Sequence, residues 1–395
     1  MDQISPYLGF DLAEIILLGC FIVFFVIEII FYVVFFRAPL RFAKKQADNN
    51  TNNADRKLPA VSVIVVSSNE AEHIEKTLPA ILEQDYPDFE VIVVNNGSTD
   101  ETDMVIKSLQ IKYDRLYGTY LPLSRDHIFG RKKLAMTIGI KAAKNEVVLF
   151  TEACCMPLTN KWIYSMMSQM KQDKDIVAGH SFFYEKPHST ASRLIAFDNL
   201  MYCLQYMSMI IRKKPFSATY RNFALRKKLF FEHKGFASVL NYEYGEELFL
   251  NEIMTGENTS LCLSPDSFVE GILEERENYI WKGYKIAYQK MKKHFVGHAQ
   301  HVFALETFCR YATPSIWIAL LLKSIISMQF TMLAIATLIY VIKDVFQMMT
   351  INKCGKLLKS GKFYFSWPFL NLLQPFRDFY YQTHKDKTKN TIGNY

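Results

Sequence analysis

Cysteine is sparse and unpatterned. The 395 residues hold seven Cys, an odd number without repeated spacing, and the one close pair is Cys154-Cys155. That argues against a disulfide framework or a zinc site and favours a reducing compartment. Lys and Arg are missing ahead of the first hydrophobic run, where Asp2, Asp11 and Glu14 supply the charge. A secretory signal needs a basic start, so this run is not one. Long hydrophobic regions are themselves few, at residues 15–36 and about 303–345. A transporter or channel is set aside on that ground. Half of the chain is nevertheless hydrophobic and 22% is charged. That balance excludes a disordered chain. A mean hydropathy of +0.01 fits a water-soluble domain joined to a few membrane segments. The net charge is +7. Its Lys and Arg gather beside the hydrophobic regions, where membrane topology accounts for them, so no nucleic-acid partner is expected.

Ile15 to Phe36 is almost continuously apolar, with Glu28 as the interruption. Its 22 residues suffice to cross a bilayer core of about 30 Å. Arg37, Arg41, Lys44 and Lys45 follow at once. The positive-inside rule then predicts an N-terminus outside and the rest of the chain in the cytosol, anchored to an inner (cytoplasmic) membrane. The second region predicts a hairpin, from about Ala304 to Ile325 and back from Phe330 to Phe346, with a turn near Ser327-Met328-Gln329. Lysines on both flanks agree with two cytosolic ends. Glu28 is costly inside a membrane unless paired. The hairpin register predicts Arg310 as its partner, and a single-span register predicts Lys323. Residues 363–381, aromatic but broken by Pro368 and Pro375, read as an interfacial segment. The domain limits that follow are 1–45 for the first membrane helix, 46–57 for a polar linker, 58–300 for a cytosolic domain, 303–346 for the hairpin and 347–395 for the tail.

The cytosolic part alternates strand and helix. Val61–Val66 and Phe89–Val94 are β-branched runs, and each ends in a polar cluster: Ser67-Ser68-Asn69-Glu70 and Asn95 to Asp100. Ala71–Gln84 and about Thr102–Gln110 carry helical spacing. A third strand, Glu146–Phe150, runs into Thr151-Glu152-Ala153-Cys154-Cys155. This order predicts an α/β fold with a mostly parallel sheet and helices on both faces. Ligands of such sheets bind beyond the strand C-termini, where all these polar clusters fall.

The blocks PAVSVIVVSSNE, QDYPDFEVIVVNNGSTDET and KKLAMTIGIKAAKNEVVLFTEACCMP resemble the nucleotide-binding half of a family-2 glycosyltransferase with the GT-A fold. The resemblance covers roughly 58–300. With the flanking hydrophobic segments, it is to membrane-bound members that build cellulose-like, poly-N-acetylglucosamine-like and other envelope glycans. It implies a GT-A nucleotide-sugar-binding domain plus about three transmembrane helices. It also implies a nucleotide-sugar donor, a lipid-linked or glycan acceptor, and a divalent metal, Mg or Mn.

Carried over by position, the resemblance makes Ser68, Glu70, Asn95, Asn96, Lys132, Lys133 and Glu152 nucleotide-side candidates. Asn95 and Asn96 stand where the family has Asp; an amide can still accept from a base N–H, and an Asn-Gly turn explains the same residues. Lys132 or Lys133, at a helix start, can meet a diphosphate, and a solvated basic turn is the alternative. In the family's D-x-D, Glu152 replaces the first Asp and Cys154 the second, usually the metal ligand. Thiols suit zinc far better than Mg or Mn, so the implied metal site (Glu152, Cys154) is weakened. Tyr244-Gly245-Glu246-Glu247-Leu248 aligns with G-E-D-x-x-L, making Glu247 the general base; a favourable acidic helix start is the other reading. Arg221 and Asn222, in a block shaping the sugar pocket, and Glu246, Lys293 and His294 are acceptor- or diphosphate-side candidates. Lys293 and His294 replace the Arg and Trp of Q-x-x-R-W, which weakens any processive reading. Two functions follow. One is an inverting glycosyltransferase; the other is a catalytically impaired nucleotide-sugar-binding or assembly subunit of an envelope-glycan complex.

Overall fold

The computed structural model describes residues 12–50, 58–122, 130–184, 186, 189–242, 245–273 and 277–383. Ten strands are formed among them: β1 Val61–Ser67, β2 Phe89–Asn95, β3 Leu116–Tyr120, β4 Val147–Glu152, β5 Cys155–Pro157, β6 Ile176–Ala178, β7 Ser181–Phe183, β8 Phe223–Arg226, β9 Thr259–Leu261 and β10 Val269–Gly271. Seven build one sheet in the order β3-β2-β1-β4-β8-β6-β9. β3, β2, β1 and β4 are parallel, and β8 runs antiparallel to β4 and β6. β5, β10 and β7 make a second, small sheet. The three strands expected from sequence are β1, β2 and β4.

Thirteen helices pack around them: α1 Leu12–Phe31, α2 Ala38–Asn50, α3 Ala71–Leu82, α4 Thr102–Lys112, α5 Arg131–Ala142, α6 Trp162–Ser168, α7 Thr190–Ile211, α8 Lys227–Glu232, α9 Glu246–Ile253, α10 Glu277–Met291, α11 Ala299–Ile326, α12 Phe330–Leu357 and α13 Trp367–Thr383. The apolar runs of the central strands are explained by burial on both faces. Val61, Val63 and Val65 face a core with α3 and α6, whereas Ile64 of the same strand faces the core of α5 and α7.

Among the described residues, three helical stretches are long and apolar enough to cross a membrane: Leu12–Asp48, Thr190–Ile211 and Phe330–Leu357. They differ in surroundings. The most apolar stretch of Thr190–Ile211 is 78% buried, against 22% for each of the other two. α7 is therefore the central core helix of the α/β domain, and composition alone does not distinguish it from a span. α1 and α12 keep outward apolar faces, with Ile15, Val23, Ile30, Leu338 and Val341 exposed. α11 packs against both α1 and α12. The α11–α12 turn falls at Ser327-Met328-Gln329, closed by the Gln329 N–H on the Ser324 carbonyl at 2.8 Å. The turn expected from sequence thus forms between two helices, of which α12 is apolar enough to cross a membrane.

Two expectations need correction. Helix α2 runs through Asn50, into the segment read as linker, because Gln46 docks on the domain: its amide donates to the Leu261 carbonyl at 2.9 Å and accepts from the Leu263 N–H at 2.7 Å. The remaining linker positions, 51–57, lie outside the described residues. Nor does Glu28 meet Arg310. Its carboxylate receives Thr313 Oγ1, Gln347 Nε2 at 2.5 Å and Lys343 Nζ at 3.4 Å. Arg310 is taken by Glu306, one turn earlier on its own helix, and by Gln374 of α13 at 2.8 Å. The nearer, pre-aligned i,i+4 carboxylate wins.

The apolar helices and the α/β domain share a core. Phe31, Tyr32, Phe36, Phe197, Ile351, Phe363 and Trp367 belong to one continuous apolar cluster. His180 Nε2 donates to the Leu358 carbonyl at 2.8 Å, tying the β6–β7 turn to the end of α12. α13 is held by Arg377, which reaches Asp198 at 2.6 Å, and by Asp378, which meets Lys285 at 2.8 Å. Its other side leaves Phe369, Phe376 and Phe379 at 60–70% exposure.

Candidate active site

The loops after β1 and β2 are stitched together at the strand C-termini. Asn69, at φ 55°, accepts the Thr99 N–H at 2.8 Å and the Asp100 N–H at 3.3 Å. Ser68 Oγ donates to the Asn96 carbonyl at 3.3 Å. The Ser68 N–H donates to Glu70 at 3.2 Å. Burial, reinforced by the Glu152 charge, outweighs that hydrogen bond and pushes the Glu70 carboxyl up to about 7. Asn95 Oδ1 accepts the Ser98 N–H at 2.9 Å and so closes the Asn-Gly turn. Asn96 differs: its Oδ1 is buried with no hydrogen-bond partner. A native structure seldom leaves such an acceptor unused, and a ligand N–H would satisfy it.

Helix α5 brings the cation. It starts after Gly130, whose φ of +78° suits glycine. Lys132, in its first turn, lies 2.7 Å from Glu152 at the end of β4. Burial alone would lower the pKa of its ammonium, yet Glu152, Glu246 and Glu247 together hold it well above the ordinary range. Lys133, one residue on, is fully buried and donates to the Tyr242 carbonyl. It braces the approach to α9 and does not present its charge to a phosphate, so the choice between the two lysines falls on Lys132.

Helix α9 brings the acid pair. Gly245 precedes it, and a side chain there would press on the Val239 carbonyl at 3.0 Å and on Lys133 Nζ at 3.2 Å. Glu246 turns back to accept the Gly245 N–H at 3.1 Å. Burial first, then the Glu246 charge, push the Glu247 carboxyl up to about 7 against the opposing pull of Lys132. A carboxylate tuned there can take a proton near neutral pH. Glu70, Glu152, Glu246, Glu247 and Lys132 thus form one charged cluster, each within electrostatic reach of others of the group.

Cys154 lies at this edge too, but not as a ligand for a hard metal. A hydrogen bond with Cys155 and burial hold its thiol well above the usual range. Ligand atoms of Glu152, Cys154 and Cys155 come within 4.8 Å of one another. Mg and Mn call for oxygen donors. This set offers two thiols and a carboxylate already paired with Lys132, so it does not fit them.

Other candidates lie elsewhere. Arg221 is buried, its guanidinium spent on Ser181 at 3.0 Å and Asn199 at 2.9 Å over the Phe183 ring. Asn222 is fully buried and saturated by the His180 and Ser267 carbonyls and the Trp162 indole N–H. Both join the large sheet to the small one, so the expectation that they meet acceptor or diphosphate is corrected: the residues that align with the sugar-pocket block point into the core. Lys293 and His294 are exposed in a short 3₁₀ turn after α10. The His294 ring lies 4.7 Å from that of Tyr242, the residue that Lys133 holds. Sequence reading missed Tyr220. Its hydroxyl is buried without a hydrogen-bond partner, and Glu247 and Glu246 both act on it. Tyr202, bonded to Ser217 at 3.1 Å, also feels Glu247. Neither had a motif signal; only the packing of α7 against the 215–220 loop brings them in.

Residues 62–240 match the model of glycosyl transferase family 2. This domain belongs to that family. The glycosyltransferase AglE of Haloferax volcanii is 33% identical over 147 residues, which are 36% of this chain and 46% of that protein. Poly-beta-1,6-N-acetyl-D-glucosamine synthase of Staphylococcus epidermidis is 30% identical over 98 residues, 25% of this chain and 22% of that one. The chain thus spans less than half the length of these curated relatives. The mannosyltransferase PcManGT of Pyrobaculum calidifontis, solved with GDP-Man and Mn²⁺, superposes with a TM-score of 0.50 at 18% identity, over 89% of this chain and 99% of that one. At that identity the likeness shows the fold, so the family-2 domain has the GT-A architecture. Glu70 and Glu152 of the charged cluster lie at the strand ends where this class of sheet binds ligands.

Proposed function

We propose that the chain is an inverting glycosyltransferase that moves a sugar from a nucleotide donor, first a UDP-sugar, to a lipid-linked or membrane-associated glycan acceptor in envelope polysaccharide synthesis. The observation that carries this reading is the Lys132–Glu152 ion pair at 2.7 Å, joining α5 to the end of β4, with Glu247 of α9 acting electrostatically on the same ammonium. The nucleotide lies over the β1 and β2 loops, with Asn96 offering its unused acceptor to the base. Glu247 takes the proton of the acceptor hydroxyl as its oxygen attacks C1 from the face opposite the leaving group. The C1–O bond to the diphosphate breaks, and Lys132 stabilises the charge that builds up there. Tyr220 lies beside the base. The apolar faces of α1, α12 and α13 support a membrane-held domain, and the flanking basic residues favour the cytosolic side, where the acceptor lipid is reached without leaving the bilayer surface.

Release of nucleoside diphosphate from a panel of nucleotide sugars, with membrane glycolipid as acceptor, tests the reading. The wild-type chain should turn over one donor, and Glu247→Gln should lose about 100-fold or more in kcat while still binding it. Binding without turnover in the wild type, unchanged in Glu247→Gln, would instead support an impaired binding or assembly subunit. The Cys154 thiol in the D-x-D position is the observation on that side.

A further inference from the structure

We propose that the Lys132 ammonium, seated on Glu152, takes the charge-neutralising place that a divalent ion would hold, so that this chain binds its donor and transfers sugar without metal. The inference rests on the nucleotide-sugar reading above. Its starting point is the misfit already described: two thiols and a paired carboxylate where a hard ion needs several oxygens. The cation is already in the seat. Lys132 Nζ lies 2.7 Å from Glu152 Oε1, so an ion entering there would have to displace the ammonium from its carboxylate.

The lysine is also free enough to serve. Its side chain is 40% exposed while Glu152 is 13% exposed, so the pair presents its positive end outward. An ammonium carries three donors, and the bond to Glu152 uses one. Lys132 stands in the first turn of a 12-residue helix, whose N-terminal partial charge adds to its own. The need is clear from the neighbours: Glu70, Glu152, Glu246 and Glu247 would repel a diphosphate if no cation stood among them. In the transfer step the acceptor oxygen bonds to C1 as the C1–O bond to the diphosphate breaks. The proton goes to Glu247, and the extra negative charge of the departing nucleoside diphosphate is met by Lys132. No co-reactant beyond donor and acceptor is required.

Calorimetric binding of UDP, GDP, CDP and dTDP to the detergent-solubilised full chain, in EDTA and in Mn²⁺, tests this. One nucleotide should bind in EDTA with an affinity that Mn²⁺ leaves unchanged within about twofold. Lys132→Met should weaken that binding by roughly tenfold to a hundredfold, with no rescue by Mn²⁺, and Lys132→Arg should restore most of it. Cys154→Asp, which returns an oxygen ligand, should gain a Mn²⁺ response that the wild type lacks. Binding that vanishes in EDTA and returns with Mn²⁺ in the wild type overturns the inference and leaves the donor reading standing. No binding of any nucleotide in either condition overturns both.

Discussion

At the scale of single residues, the proposed function turns on Glu247 as the general base. Burial and the Glu246 charge push its carboxyl up to about 7, and a base must be deprotonated to work. The sign follows: kcat/KM rises with pH through about 7 and levels off above it, and at pH 5 it is about a hundredfold below the plateau. A pH profile of transfer checks this; a flat profile from pH 5 to 8 would remove Glu247 from the base role. The alignment with G-E-D-x-x-L singled out a residue on which the charges of Lys132 and Glu152 both act. The same reasoning misread Arg221 and Asn222. A motif gives the order of side chains but not the direction in which each points, and both point between the two sheets. Tyr220 went unseen for the converse reason. Its unpartnered hydroxyl acquires meaning only once the fold sets it beside Glu247.

Among the elements, the strands and their loops were the most legible. Continuous β-branched runs bounded by polar clusters have few other readings, and β1, β2 and β4 formed within a residue or two of expectation. α7 was the least legible, because an apolar 22-residue helix buried by its own domain has the same composition as one buried by lipid. The partner of Glu28 shows a similar limit: depth along a helix is readable, azimuth is not. Glu28 and Lys343 are both buried, at 3% and 2% exposure, on α1 and α12. Lys343→Leu should therefore cost about 3–5 kcal/mol by stranding the carboxylate. Adding Glu28→Leu to that variant should recover most of the loss. Denaturant titration of the detergent-solubilised protein measures both; a second substitution that deepens the loss would show that the pair does not act as a unit.

For the whole molecule, the apolar helices α1 and α12 are continuous with the core of the domain, through Phe31 and Ile351. One apolar cluster runs from Phe31 to Trp367, and Gln46, His180 and Asp198 add polar ties at its edges. The proposed orientation, drawn from the positive-inside argument, has the N-terminus outside and the charged cluster on the cytosolic face. An epitope tag at the N-terminus should be cleaved by protease added to sealed cells, and one in the segment after α13 should be protected until the membrane is opened. The reverse pattern would move the charged cluster to the far side, away from nucleotide sugars.

A donor-bound structure tests the central claim most directly. With a non-transferable analogue of the donor, the account predicts the nucleobase against Asn96, the diphosphate on Lys132, and C1 facing the Glu247 carboxylate from the side opposite the leaving oxygen. A donor seated away from the ends of β1, β2 and β4, or a Glu247 carboxylate lying on the leaving-group side of the sugar, would contradict it.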